Sequence, residues 1–271
     1  MKSQLYQWSD EAVLDEDGVI VGCTESHEWL LPWWWMNFRM HNEYPVTFID
    51  FGDMSAAAKE WCLKRGRLKT LEIPIEYFVT SLDEAHPEQA KIWQWREGYD
   101  IEKARLSWFK KPFACLQSPF KRTIWMDVDC QVRKPIQPIF SYCENPLGFA
   151  IAEEHPSEQQ KHKETGLIQQ DEVEYNSGVF VYKNGAPILS DWAKMGIEHN
   201  HSLRGDQEAL SRMAFHNNIK LPTLPPEYNC RYHLNDGSDN TIIHWLGVGQ
   251  EIVKDLILFL DYKCSMNFSI N

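Results

Sequence analysis

Two aspartates one residue apart, Asp127 and Asp129, close the apolar run in "RTIWMDVDCQV" (122–132). In an extended chain, residues i and i+2 face the same side. Two ionised carboxylates on one face repel each other unless a cation lies between them. Their hard oxygens suit Mg²⁺, Mn²⁺ or Ca²⁺. The residues that follow, "QVRKPIQP", leave the strand, so the pair is expected at the carboxyl edge of a sheet. A solvated strand end accounts for the same short pattern.

Three further stretches place polar groups at the ends of apolar runs. In "EYNSGVFVYKNG" (174–185), Asn176 and Ser177 precede Gly178. Asn176 offers a donor and an acceptor to a hydroxyl-rich ligand, and Gly178 leaves room for a backbone or ligand to approach. A polar strand entry with a glycine bulge is the structural alternative. In "RGDQEALS" (204–211), Asp206 suits a helix N-cap; alternatively, Asp206 and Gln207 point from the helix start into a cleft. In "IIHWLGVG" (242–249), His244 ends a β-branched run ahead of Gly247 and Gly249. Such a histidine is often structural, but beside two aspartates it supplies a nitrogen ligand and shifts the preference from Mg²⁺ towards Mn²⁺.

The elements that must carry these residues alternate in the first half of the chain. "GVIVGC" (18–23) and "PVTFIDFG" (45–52) read as buried strands. Residues 27–41 form a Trp-rich helical stretch, and "SAAAKEWCLKRG" (55–66) a helix with Ser55 as N-cap and Gly66 as stop. "LEIPIEYF" is extended, and "EKARLSWFKKPFACLQS" is helical with a break or restart at Pro112. "RTIWMDVD" is the next strand. The second half mixes short strands ("LGFAIAEE", "YNSGVFVYK", "TIIHWLG") with helices ("PILSDWAKMGIEH", "GDQEALSRMAFH"). The expected fold class is α/β: one Rossmann-like domain over residues 1–271 with a mixed, mostly parallel sheet and helices on both faces. Its core spans about 18–250, and 251–271 is a packed helix or tail. Ligands of such sheets bind at the carboxyl ends of the strands.

Composition narrows the function classes. A net charge of −12 repels polyanions, so no nucleic-acid partner is expected. An anionic nucleotide would need a metal ion or a few placed cations. The seven cysteines are dispersed, odd in number and lack CxxC spacing, which fits a reducing, cytoplasmic setting better than a zinc site or disulfide framework. "MKSQLYQWSDEAVLDED" is acidic and unlike a signal peptide. No apolar run reaches the ~18 residues of a membrane span. The twelve tryptophans serve a core or a sugar-stacking surface equally well. The charged stretch "EEHPSEQQKHKETGLIQQDEVE" (153–174) reads as a lid or a solvated surface loop.

Together and in this order the motifs resemble those of the retaining glycosyltransferases of the GT-A fold, specifically family 8, which includes glycogenin and bacterial lipopolysaccharide glycosyltransferases. "WMDVDCQV" is similar to that family's D-x-D strand, "YNSGVFVY" to its N-S-G-V strand, "GDQEAL" to its G-D-Q helix start and "HWLG" to the opening of its H-x-x-G-x-x-K-P-W segment. The resemblance spans about residues 18–250. It implies that Asp127 and Asp129 hold Mn²⁺ or Mg²⁺ with His244 as third ligand. The metal would bridge the diphosphate of a nucleotide sugar, UDP-glucose or UDP-galactose. It further implies that Thr24, Lys111, Val128, Asn176, Ser177 and Gly247 line the donor, with Lys111 at its phosphate or sugar and Thr24 by its base. Asn176, Asp206 and Gln207 would act at the transferring sugar, Asp206 as nucleophile or electrostatic stabiliser. The acceptor, a carbohydrate, lipid or protein, is not specified.

The chain departs from the family's pattern after Gly247. Gln250, Glu251 and Ile252 stand where the resemblance leads one to expect Lys, Pro and Trp. Lys254 or Arg231 could supply the missing cation. "CTESHEW" also replaces the usual first-strand ending, leaving His27 or Trp29 as base partners and GDP-sugars open as donors. A nucleotide-sugar hydrolase and a non-catalytic nucleotide-sugar-binding protein are the competing readings. If the aspartates hold a metal, Asp129→Asn weakens metal-dependent donor binding at least tenfold, or about 1.4 kcal/mol, with the fold intact. Unchanged Mn²⁺-dependent binding in a titration of that variant would remove the metal.

Overall fold

The computed structural model describes residues 14–85, 87–97, 101–235 and 239–267. The N-terminal stretch up to residue 13 and the last four residues of the expected tail lie outside them. In chain order the strands are β1 (Leu14–Cys23), β2 (Val46–Asp50), β3 (Arg67–Thr70), β4 (Phe120–Met126), β5 (Cys130–Val132), β6 (Phe149–Glu153), β7 (Tyr175–Lys183), β8 (Cys230–Arg231) and β9 (Ile242–His244). The α-helices are α1 (Leu31–Arg39), α2 (Ala56–Leu63), α3 (Pro87–Glu97), α4 (Ile101–Trp108), α5 (Lys111–Leu116), α6 (Pro156–Glu164), α7 (Pro187–His199), α8 (Asp206–His216) and α9 (Val248–Asn267).

Among the described residues one sheet has the order β3-β2-β1-β4-β7-β6. β3, β2, β1 and β4 run parallel, and β7 is antiparallel to both of its neighbours. The sheet is therefore mixed and mostly parallel, as the alternation of elements in the first half implies. β2 and the second halves of β1 and β4 read as apolar runs because both faces are covered, and successive residues serve different layers. Ile124 and Met126 pack with Val19, Val21, Trp34 and Phe38 on one side. Trp125, between them in sequence, packs with Ile20, Phe180, Trp192 and Leu210 on the other. Trp34, Trp93, Trp125 and Trp192 are fully buried, so these four tryptophans are spent on the core.

Several local expectations hold for the stated reasons. Ser55 caps α2, its hydroxyl accepting from the Ala58 N–H at 3.2 Å. Pro112 restarts the interrupted helix from the first turn of α5, where its missing N–H costs nothing. Others shift. The stretch read as extended, "LEIPIEYF", follows β3, and residues 71–78 run without strand pairing across Pro74. Helix α2 ends at Leu63, before Gly66; that glycine is needed because a Cβ there would sit 2.4 Å from the Val46 carbonyl oxygen. The C-terminal helix begins at Val248 rather than 251 and packs through Val253. No helix among the described residues is long and apolar enough to cross a membrane.

Segment 153–174 is built into the molecule and is not a solvated loop. It carries α6, and Glu154, Glu158, His162, Leu167, Ile168, Glu172 and Glu174 are all buried. The charges that made it look like surface are paired inward: Glu172 with Arg212 at 2.9 Å, His162 with Glu174, and Glu154 with Arg231. A buried carboxylate persists only with such partners.

Candidate active site

Strand β4 stops at Met126, and the chain turns instead of running on. The Asp127 N–H donates to the Gly178 carbonyl at 2.8 Å and the Cys130 N–H to the Asp127 carbonyl at 3.0 Å. Asp127 and Asp129 therefore do not share the face of one strand, as i, i+2 spacing predicts; a turn brings them together. Beyond it β5 joins a second sheet, β5-β9-β8, in which Cys130 pairs with His244. That register puts His244 against the turn. Its Nε2 lies 3.2 Å from Asp129 Oδ1 and 3.8 Å from Asp127 Oδ2.

Each of these three side chains has a partner behind it. Trp125 Nε1 donates to Asp127 Oδ1 at 2.7 Å, and Gln250 Nε2 to Asp129 Oδ2 at 2.8 Å. His244 Nδ1 lies 3.1 Å from Asn229 Oδ1. That contact puts a ring proton on Nδ1, so Nε2 is the nitrogen turned towards the carboxylates, where it donates to Asp129 when protonated and is the atom that could bind an ion when not. Asn229 is itself fixed, donating to Asn176 Oδ1 at 2.8 Å. The ligand atoms of Asp129, Cys130 and His244 lie within 4.8 Å of one another. Burial keeps the Cys130 thiol protonated, its pKa pushed well up. The useful donor set is then carboxylate oxygen and imidazole nitrogen, which fits Mn²⁺ or Mg²⁺.

The electrostatics separate the two aspartates. Burial lifts the Asp127 pKa above the usual carboxylate range, with Lys111 and His244 pulling the other way. Burial also opposes ionisation of Asp129, but His244 and the Gln250 amide outweigh it and hold its pKa at about 2. The same contact raises the His244 pKa against the effect of burial.

Lys111, at the start of α5, reaches the same place from below. Its Nζ is 3.1 Å from Asp127 Oδ1, 3.1 Å from Asp206 Oδ2 and 3.2 Å from both the carbonyl and hydroxyl oxygens of Ser177. Burial alone would lower its pKa; Asp127 and Asp206 raise it instead. Asp206 is not the N-cap of α8. Gly205 occupies that position without a side-chain bond, and Asp206, in the first turn, accepts from the Ser177 hydroxyl at 2.7 Å. Gln207 accepts from the Ser177 N–H at 3.3 Å and donates to Glu174 at 2.8 Å. Asn176 donates to Glu154 Oε2 at 2.9 Å.

The structure thus gathers Lys111, Asp127, Asp129, Asn176, Ser177, Asp206, Gln207 and His244 into one network, buried except for the half-buried Asp127 and Gln207. Thr24 stands at the end of β1, its hydroxyl 3.1 Å from His27 Nδ1. Val128 packs its side chain into the core and can offer a ligand only backbone. Gly247 takes φ 59°, a left-handed turn that launches α9. Neither substitute cation turns inward freely: Arg231 is locked on Glu154, and Lys254 is 54% exposed beside Glu251. Sequence reading missed Asn229, Glu154 and Trp125. Trp125 carried a signal, since its indole precedes Asp127 by two residues; Asn229 carried none.

Gly178 has a different task from the one its sequence suggests. A Cβ there would lie 2.2 Å from His244 Cε1, so the glycine makes room for the His244 ring. Gly178→Ala is expected to cost about 1–3 kcal/mol in chemical denaturation, and His244→Ala added to it to recover most of that loss. Glu154 gives a second test. Burial opposes its charge, but Arg231 holds its pKa down from 4.5 to about 2. A depressed carboxylate contributes stability above its unfolded value, lost as pH falls through the folded one. Glu154→Gln is therefore expected to lose about 3 kcal/mol at pH 7, with Arg231 left uncompensated. Its stability should also fall less steeply between pH 4.5 and about 2.

No protein-family model matches the chain, and comparison with curated proteins finds no match. Solved structures do match it. The galactosyltransferase LgtC, in complex with donor and acceptor sugar analogues, is similar at TM-score 0.56 and 12% identity, over 86% of this chain and 87% of that one. Mouse xyloside xylosyltransferase 1 in its apo form matches at TM-score 0.53 and 14% identity, over 84% and 97%. The glycosyltransferase GlyE of Streptococcus pneumoniae TIGR4 matches at TM-score 0.56 and 13% identity, over 86% and 55%. At these identities the likeness is one of fold, and the fold is that of the GT-A glycosyltransferases.

Proposed function

We propose that the protein is a metal-dependent, retaining glycosyltransferase. It moves a hexose from a nucleotide-diphosphate sugar, UDP-glucose or UDP-galactose, to a carbohydrate, lipid or protein acceptor. The observation that carries this reading is the convergence of Asp127, Asp129 and His244 at the carboxyl end of β4, each held from behind by its own donor or acceptor. The GT-A fold supports it.

Asp129 and His244, with Asp127 beside them, would hold Mn²⁺ or Mg²⁺. Such an ion, when bound, offsets the negative charge that develops on a leaving diphosphate. The remaining roles fall to the chain itself. Asn229 holds the His244 ring by Nδ1, so that Nε2 faces the place between the carboxylates where an ion would sit. Lys111 balances Asp127 and Asp206, so that three acids can share one pocket. Asp206 already accepts from Ser177 and Lys111 through Oδ2. An oxygen so engaged is a poor nucleophile, and Asp206 serves better as a fixed negative charge facing the positive charge that grows on the sugar.

A thermal-shift titration with UDP, GDP, CDP and their sugars, each with and without Mn²⁺, tests the reading. A ligand that binds only the folded state raises stability by an amount set by its concentration over Kd. One nucleotide is expected to stabilise the protein only when Mn²⁺ is present. Stabilisation by none of them would overturn the proposal. Rapid release of free hexose without any acceptor would replace transfer by hydrolysis.

A further inference from the structure

Two side-chain amides of the site, those of Asn176 and Gln207, are each bonded at both ends. An amide carries its oxygen and its nitrogen on arms of nearly the same shape, so its hydrogen-bond partners decide which way round it lies. For Gln207 the Ser177 N–H takes the oxygen at 3.3 Å, and the Glu174 carboxylate takes the nitrogen at 2.8 Å. For Asn176 the oxygen accepts from the Gly178 N–H at 3.0 Å and from the Asn229 amide at 2.8 Å. Its nitrogen donates to Glu154 at 2.9 Å. Both carboxylates come from segment 153–174, one from each end. Each is backed by a further side chain, Glu174 by His162 of α6 and Glu154 by Arg231.

The place of Glu174 is fixed through its backbone as well. Its N–H donates to Gln159 Oε1 at 3.0 Å, and its carbonyl accepts from the Glu154 N–H at 2.8 Å. Gln159 in turn donates to the Glu154 carbonyl at 2.8 Å. The side chains of Glu174 and His162 are each 1% exposed. Seating the segment does not by itself call for an acid here, because apolar side chains in place of a buried ion pair are often as stable. What a carboxylate supplies, and an apolar side chain does not, is an acceptor for the Gln207 nitrogen. Gln207 is half-buried, and beyond these two bonds its amide has one further N–H and one further lone pair.

We infer that Glu174 is a positioning residue for recognition of the transferring hexose, acting through the Gln207 amide, which it holds in one of its two orientations. This rests on the donor reading above, with Gln207 at the sugar. A held amide offers its remaining N–H and lone pair to a sugar hydroxyl in fixed places. An amide free to turn has to be ordered by the sugar, and that ordering weakens binding. The effect falls on the hexose of the donor and not on its nucleotide.

Calorimetric titration of the full chain in Mn²⁺ with UDP, UDP-glucose and UDP-galactose, and with GDP and GDP-glucose, tests it. The variants are Glu174→Met, Gln207→Ala and the two combined. Gln207→Ala is expected to weaken the better-bound hexose nucleotide at least fivefold and Glu174→Met at least threefold. Both should bind the free nucleotide within twofold of wild type. Combined, they should lose no more than Gln207→Ala alone, since Glu174 acts through that amide. Equal weakening of nucleotide and hexose nucleotide by Glu174→Met would overturn the inference and leave Glu174 a brace for its segment. A threefold loss that persists in the Gln207→Ala background would overturn it too, as would hexose-nucleotide binding that neither variant changes. Melting temperatures without ligand check the fold. If Glu174→Met does not fold with His162 left unpaired, His162→Phe joined to Glu174→Met removes both members of the pair and carries the same expectations. Wild type that binds none of the five probes would overturn the donor reading and the inference with it; the other outcomes, with wild-type binding intact, overturn the inference alone.

Discussion

A buried ammonium group organises this molecule. Lys111 Nζ is hydrogen-bonded to atoms of β4's end, β7 and the start of α8 at once. Removing an ammonium from water costs several kcal/mol, recovered only by well-placed acids and hydrogen bonds. Asp127, Asp206 and the Ser177 carbonyl and hydroxyl are those partners. The dependence is mutual. Lys111 is the shared counter-charge of the two acids, and they in turn hold its pKa up against the effect of burial. The position of α5 beneath the sheet, with Phe113 and Ala114 in the core beside it, is what allows the ammonium to arrive there.

Around that centre the polar groups form two connected paths. One runs from Asp206 through Ser177 and Gln207 to Glu174 and His162. The other runs from His244 through Asn229 and Asn176 to Glu154 and Arg231. Both end in segment 153–174 or on the residue that anchors it. That segment closes one side of the site, and its buried acids link its seating to the geometry of the reacting groups. A network so nearly satisfied is rigid and holds its charged groups at fixed separations.

The architecture was legible because its signals are local. Apolar runs of strand length, the Ser55 cap and the Pro112 restart are decided within a few residues. The four motif stretches were legible as chemistry for the same reason: each puts polar atoms at the end of an apolar run. What failed was information carried over long separations. The i, i+2 argument assumed that β4 ran through Asp129, whereas a turn closed by the Cys130 N–H on the Asp127 carbonyl ends it. Asp206 has the composition of an N-cap, but the pull of Lys111 and Ser177 moved it one place into the helix. Segment 153–174 looked soluble because the partners of its acids, Arg212 and Arg231, lie far along the chain. Asn229 could not be found at all, since nothing local distinguishes an asparagine that orients a histidine from one that closes a turn.

The contact between Gly178 and His244 has a meaning for the history of sequences like this one. The two positions are 66 residues apart in number but share one volume, the imidazole lying where a β-carbon would be. They should therefore be inherited as a pair. A β-carbon at 178 and the imidazole of 244 cannot both keep these positions, so a side chain at 178 displaces the ring. The identity of a residue in the middle of a strand thus constrains where a ring 66 positions along the chain can lie.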